Sequence, residues 1–155
     1  MSISLPLLLL TGMALGEANV PAEKAPTHYD NYTAGFKAAQ KTGQPLLVIL
    51  NPGGKSAQKP VTLESVRKSK TCCDWLESYV VVIVDTETDK GGVIHTLFGA
   101  KPLPHVSVID KAQKFQIYTT SKSMQLSDWD RVLKTYRKGV AVSKTANLQE
   151  VFCPT

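Results

Sequence analysis

The sequence predicts an α/β fold: a three-layer α/β/α sandwich around a central mixed sheet. An uninterrupted aliphatic run at 46–50 has the composition of a strand buried on both faces, 79–85 is a second apolar, Val-rich strand, and each follows a stretch of helical period. Further on, 105–110 and 115–120 flank a polar turn and read as an antiparallel hairpin, with another helical stretch behind it. Parallel strands need long crossovers whereas an antiparallel pair needs only a turn, so a sheet built from both is mixed and carries helices on its two faces.

Each element has its own reason. From 28 to 42, Tyr32, Phe36 and Ala39 recur at spacings of four and three, and Gly43 supplies the stop. Pro45 leads into Leu46, Leu47, Val48, Ile49 and Leu50. Asn51-Pro52-Gly53-Gly54 is a turn. The spacing of Leu63, Val66, Cys73 and Leu76 predicts one helix over 62–78, with those four on a single arc. The β-branched run 79–85 is the second strand. Residues 89–92 read as a break, followed by a short helix holding Val93, Ile94, Leu97 and Phe98. Lys101-Pro102-Leu103-Pro104 precedes the third strand. In the final helix Ser127 is the expected cap, with Asp130 three residues on, and Leu126, Trp129, Leu133 and Tyr136 form its apolar side. Gly139 ends it, and no internal repeat is present.

The 155 residues suffice for one domain with a real core, and 43% hydrophobic against 20% charged residues marks a globular chain. The net charge of +5 comes from scattered lysines with few aromatics, which is a solvated surface and not a nucleic-acid stripe. The first residues have the pattern of an export signal: an apolar stretch over 3–10 resumes at 13–15, and Ala14-Leu15-Gly16 offers small residues for cleavage. We therefore read 1–16 as a signal peptide, 17–27 as a linker, 28–139 as the domain and 140–155 as a tail. The expected location is periplasmic or secreted; membrane attachment requires that the apolar segment be retained.

With a proline just before the third strand, this order resembles the thioredoxin superfamily, in particular its exported members, over about 29–139. Gly43-Gln44-Pro45 with the strand behind it is similar to the family's lead-in to its first core strand, and 81–85 to a strand ending in Asp. Phe98-Gly99-Ala100-Lys101-Pro102-Leu103-Pro104 resembles the approach to the family's cis-proline, which falls on Pro104. The resemblance implies a Cys-x-x-Cys site after the first strand. Lys55-Ser56-Ala57-Gln58 stands there instead, and no Cys lies between Asn51 and Thr71. Disulfide exchange needs a thiolate and a resolving thiol, and neither Lys nor Gln supplies one. The resemblance also implies that an extended peptide pairs with backbone beside the cis-proline, flanked by Leu103 and His105, with Lys55 and Ser56 nearby.

The remaining chemistry is sparse. The cysteines are Cys72, Cys73 and Cys153. On the single-helix reading Cys73 is buried and Cys72 points away, free to form a structural disulfide with Cys153; a redox pair of Cys72 and Cys73 is the alternative. Gly53-Gly54-Lys55-Ser56 resembles the end of a phosphate loop but lacks its leading glycine. His28, His95 and His105 have no partner pattern for a metal or a triad, and Asn31-Tyr32-Thr33 matches a glycosylation acceptor. The expectation is therefore a binding module for a protein or extended peptide, with no metal, cofactor or nucleic acid, the alternative being a divergent thiol oxidoreductase working through Cys72 and Cys73.

Overall fold

A computed structural model describes residues 28–54 and 56–142. The elements are α1 (Tyr32–Thr42), β1 (Leu46–Asn51), α2 (Leu63–Arg67), α3 (Lys70–Leu76), β2 (Val80–Asp85), α4 (Asp89–Leu97), β3 (His105–Ile109), β4 (Gln116–Thr120) and α5 (Leu126–Tyr136). The proposed signal peptide (1–16), the linker (17–27), Lys55, Cys153 and most of the proposed tail lie outside the described residues. Among the described residues no helix is long and apolar enough to cross a membrane.

The sheet order is β2-β1-β3-β4. β1 runs parallel to β2, Leu46 opposite Val80, and antiparallel to β3, Leu50 opposite His105. β4 closes the antiparallel end. Successive side chains of a strand point to opposite faces, and β1 uses this to build two cores. Leu47 and Ile49 pack with Leu63, Val66, Cys72, Leu76, Trp129 and Leu133 of α2, α3 and α5. Leu46, Val48 and Leu50 pack with Ala39 and Phe98, beside Tyr32, Phe36 and Ile94, on the side of α1 and α4. All six residues of β1 are buried. Burying each large aliphatic side chain contributes about 1.5–3 kcal/mol, so this strand is the mechanical centre of the fold. The three-layer sandwich with a mixed sheet is as the sequence predicts.

Three local expectations are corrected. The helix expected over 62–78 is two helices: Lys68 ends α2, and Ser69 leaves helical geometry to cap α3, its side chain accepting from the Cys72 amide. The break resets the helical phase, so Cys72 is fully buried and Cys73 only half-buried, the reverse of the single-helix reading. Residues 89–92 are not a break but the first turns of α4, capped by Thr88, whose Oγ1 accepts from the Gly91 amide at 3.0 Å. A side chain at Gly91 would run into the Asp85 carbonyl, so glycine lets α4 start hard against the end of β2. Finally, α5 is capped by Gln125 and not Ser127: the Gln125 amide donates to Asp128 Oδ2 at 3.1 Å.

Candidate functional site

The chain approaches β3 through a tight corner. Gly99 and Ala100 take positive φ values of 79° and 47°, and His95 Nε2 lies 2.7 Å from the Lys101 carbonyl, tying α4 to the corner. The Leu103–Pro104 peptide bond that follows is cis. Beside it lies a hollow of about 430 Å³ whose apolar wall is Leu103, Pro104, Val106, Pro60, Val61, Met124 and Trp129. Gln58, Lys59, Ser65, Ser121, Lys122 and Ser123 form its polar rim, with a cation on either side. No cysteine lines it.

The far wall is held by a residue that sequence reasoning passed over. Asn51, the last residue of β1, is buried. Its Oδ1 accepts from the Val61 amide and its Nδ2 donates to the Val61 carbonyl, both at 2.8 Å. One side chain thus serves both backbone groups of a residue ten positions away, as a neighbouring strand would. The Asn51 carbonyl meanwhile accepts from the Thr86 amide at 3.1 Å and the Thr86 hydroxyl at 2.9 Å. The loop 52–60 is therefore cinched at its base to β1 and, through Thr86, to the end of β2. The only local signal was an Asn closing an aliphatic run, and the partner that gives it meaning is distant in sequence.

The predicted site residues separate. Leu103 and Pro104 line the hollow. Ser56 lies on the other side of the 52–60 loop, in a second and larger cleft, and Lys55 lies outside the described residues. His105, expected at the groove's edge, is only 3% exposed and does not line the hollow. Strand alternation explains this, because Val106 faces the α5 side and His105 must face the other. There its ring meets Phe98 edge-on at 6.5 Å, and Nδ1 lies 2.8 Å from Ser121 Oγ. Nε2 is buried without a hydrogen-bond partner. Burial, reinforced by Lys101 and His95, pushes the imidazole pKa below its ordinary value, so the neutral ring is favoured.

Neither described cysteine lines the hollow. Cys72 Sγ sits under α5, 3.9 Å from the Leu126 carbonyl, and burial pushes its pKa up, opposite to what a reactive thiolate needs. Cys73 Sγ lies 3.2 Å from the Arg67 carbonyl. Both are free thiols, not joined to each other. The proposed Cys72–Cys153 pairing involves a residue outside the described set. Among the described residues no cluster of three or more His, Cys, Asp or Glu side chains is arranged for a metal ion.

Comparison with known proteins fits this architecture. No family model and no curated protein matches the chain. Among solved structures it is similar to a thioredoxin from Thermus thermophilus, with a TM-score of 0.54 and 14% identity over 70% of this chain and 85% of that one. It is likewise similar to chloroplastic thioredoxin z, with a TM-score of 0.50 and 14% identity over 76% of this chain and all of the other. At such identity the likeness speaks to architecture alone, and the architecture is the thioredoxin fold.

Proposed function

We propose that this is an exported thioredoxin-fold module that holds an extended segment of a protein or peptide in the hollow beside Leu103 and Pro104, without dithiol chemistry. The observation that carries the reading is a cis Leu103–Pro104 bond opening onto an apolar hollow whose lining contains no thiol. Leu103 precedes β3 and makes no ladder bond, so its backbone is the natural partner for a strand laid alongside. Val61, Met124 and Trp129 supply a floor for alternate side chains of that strand. The absence of Cys between Asn51 and Thr71 and the buried, proton-holding Cys72 support binding over turnover. The first residues support export, with cleavage expected after Gly16.

The test selects extended peptides against the full mature protein and then blocks the hollow. Met124→Glu places a charge on its floor and is expected to weaken a selected peptide at least about tenfold, on the order of 1.4 kcal/mol, with an unchanged circular dichroism spectrum. Insulin reduction is measured in parallel. Peptide binding indifferent to Met124→Glu, or insulin turnover abolished by Cys72→Ser or Cys73→Ser, would overturn the proposal. Amino-terminal sequencing of the exported fraction checks the cleavage point.

A further inference from the structure

A second concavity is larger than the hollow beside Pro104. A cleft of about 1070 Å³ opens across the carboxyl ends of β1 and β2, on the side of α1 and α4. Its position has a topological cause. The chain leaving β1 turns to the face of α2 and α3, whereas the chain leaving β2 turns to the opposite face and enters α4. Two neighbouring parallel strands whose connections part in this way leave a crevice between them, the place where open α/β sheets receive small ligands. The volume is that of a small-molecule site.

The lining indicates which ligand fits. Tyr32, Pro52, Ile83, Val84, Val93 and Ile94 form an apolar body. The Tyr32 ring is fixed by Phe98, edge-on at 5.8 Å, and by Phe36 at 5.9 Å. Val93 lies 68% exposed at the mouth, an apolar surface with nothing covering it among the described residues. Among the described residues the charged side chains of the lining are Asp30, Asp85 and Asp89 against the ammonium of Lys90. His28 stands 3.2 Å from Asp30, and the Glu87 side chain lies against Gly53 without lining the cleft. The amino ends of α1 and α4 also open here, each worth about half a positive unit. Together they offset only part of the carboxylate excess. Each also has one N–H already taken by its cap, Asn31 or Thr88.

We propose that this cleft binds a small amphipathic amine: the apolar body against Ile83, Val84, Ile94 and the Tyr32 ring, the ammonium toward Asp85 and Asp89. Carboxylates at the edge of an apolar cleft are the chemistry that recognises an ammonium group carried on an apolar body. The cleft and the peptide hollow lie on the two sides of the 52–60 loop, and Gln58 and Pro60 line both.

The experiment is an amide-resolved NMR titration of the full chain with tryptamine and with indole-3-acetate, which share a body and differ in charge. Tryptamine is expected to saturate, with shifts concentrated at Tyr32, Gly53, Gly54, Gly91 and Ile94, and to bind at least about tenfold more tightly than the acid, the size expected of one or two partly exposed carboxylates. Asp89→Asn should lower tryptamine affinity about three- to tenfold and leave indole-3-acetate no weaker. Asp30→Asn, at an exposed position before the α1 cap, is the second variant should Asp89→Asn disturb α4; it should weaken the amine in the same direction. Saturable binding of the acid as tight as the amine, lost in Lys55→Met, would make this an anion site on the glycine turn and overturn the assignment. Shifts elsewhere on the chain, or none that saturate, would overturn it equally.

Discussion

The double hydrogen bond between Asn51 and Val61 is the sharpest place to perturb this fold, because one side chain is responsible for it. Replacing Asn51 with Ala removes both 2.8 Å bonds and leaves the Val61 amide and carbonyl without their partner. Val61 is half-buried, so water recovers part of the loss. Two net hydrogen bonds at about 1 kcal/mol each, with partial desolvation of the orphaned groups, give a destabilisation of about 2–3 kcal/mol. Asn51→Asp is more telling. It keeps the acceptor for the Val61 amide but turns a carboxylate oxygen toward the Val61 carbonyl. The folded state then disfavours the charged form, so the carboxyl pKa in the folded protein lies above its unfolded value of about 3.9. The unfolded chain ionises first as pH rises, so the variant is penalised fully at neutral pH and recovers as pH falls through the raised pKa, where a protonated carboxyl donates again. The assay is urea unfolding followed by Trp75 and Trp129 fluorescence at pH 7 and pH 4.5, each variant referenced to the parent at the same pH. Asn51→Ala within about 0.5 kcal/mol of the parent, or an Asn51→Asp deficit that does not shrink in acid, would refute the reasoning.

Two further outcomes follow from buried titratable groups. The His105 pKa is lowered, so as pH drops below about 6.5 the unfolded chain takes up a proton that the folded chain refuses, and stability is lost through that window. His105→Phe should flatten the fall in melting temperature between pH 7.5 and 5.5 relative to the parent; an unchanged slope would show that the ring is not the cause. Cys72 is buried and Cys73 half-buried, so a thiol reagent at pH 8 should label Cys73 first and reach Cys72 only on unfolding, as peptide mass mapping will read. Cys72→Ser, which puts a hydroxyl into the α3–α5 core, should cost about 1–3 kcal/mol, and Cys73→Ser less than about 0.5 kcal/mol.

The frame of this fold was legible because its strands are long aliphatic runs and its helices keep their period. What escaped was governed by partners distant in sequence or by phase. The 62–78 pattern looked continuous because Val66 and Cys73 are seven residues apart, which a single helix places on one face. Ser69 breaks the helix and puts Cys72 in that role instead. The signal was present, as Ser is a strong cap, but the surrounding Lys and Arg are equally good helix formers and mask it. Pro104 is legible through the residues before it and the rest of the hollow is not, because Pro60 comes from one distant segment and Met124 with Trp129 from another. The orientation of His105 was readable from strand alternation alone, since its neighbour Val106 had to serve the α5 core.

Ahead of α1, Tyr29 pairs with the outer side of β2: its amide donates to the Val81 carbonyl at 2.8 Å, and its carbonyl accepts from the Ile83 amide at 2.9 Å. One residue thus occupies the middle of that border and denies a foreign chain a continuous row of backbone groups to zip onto. The opposite border, Gln116–Thr120, has no such stopper among the described residues. Lys114 and Lys122 bracket that flank. Copies of the same chain approaching it would bring like charges together, which disfavours self-polymerisation.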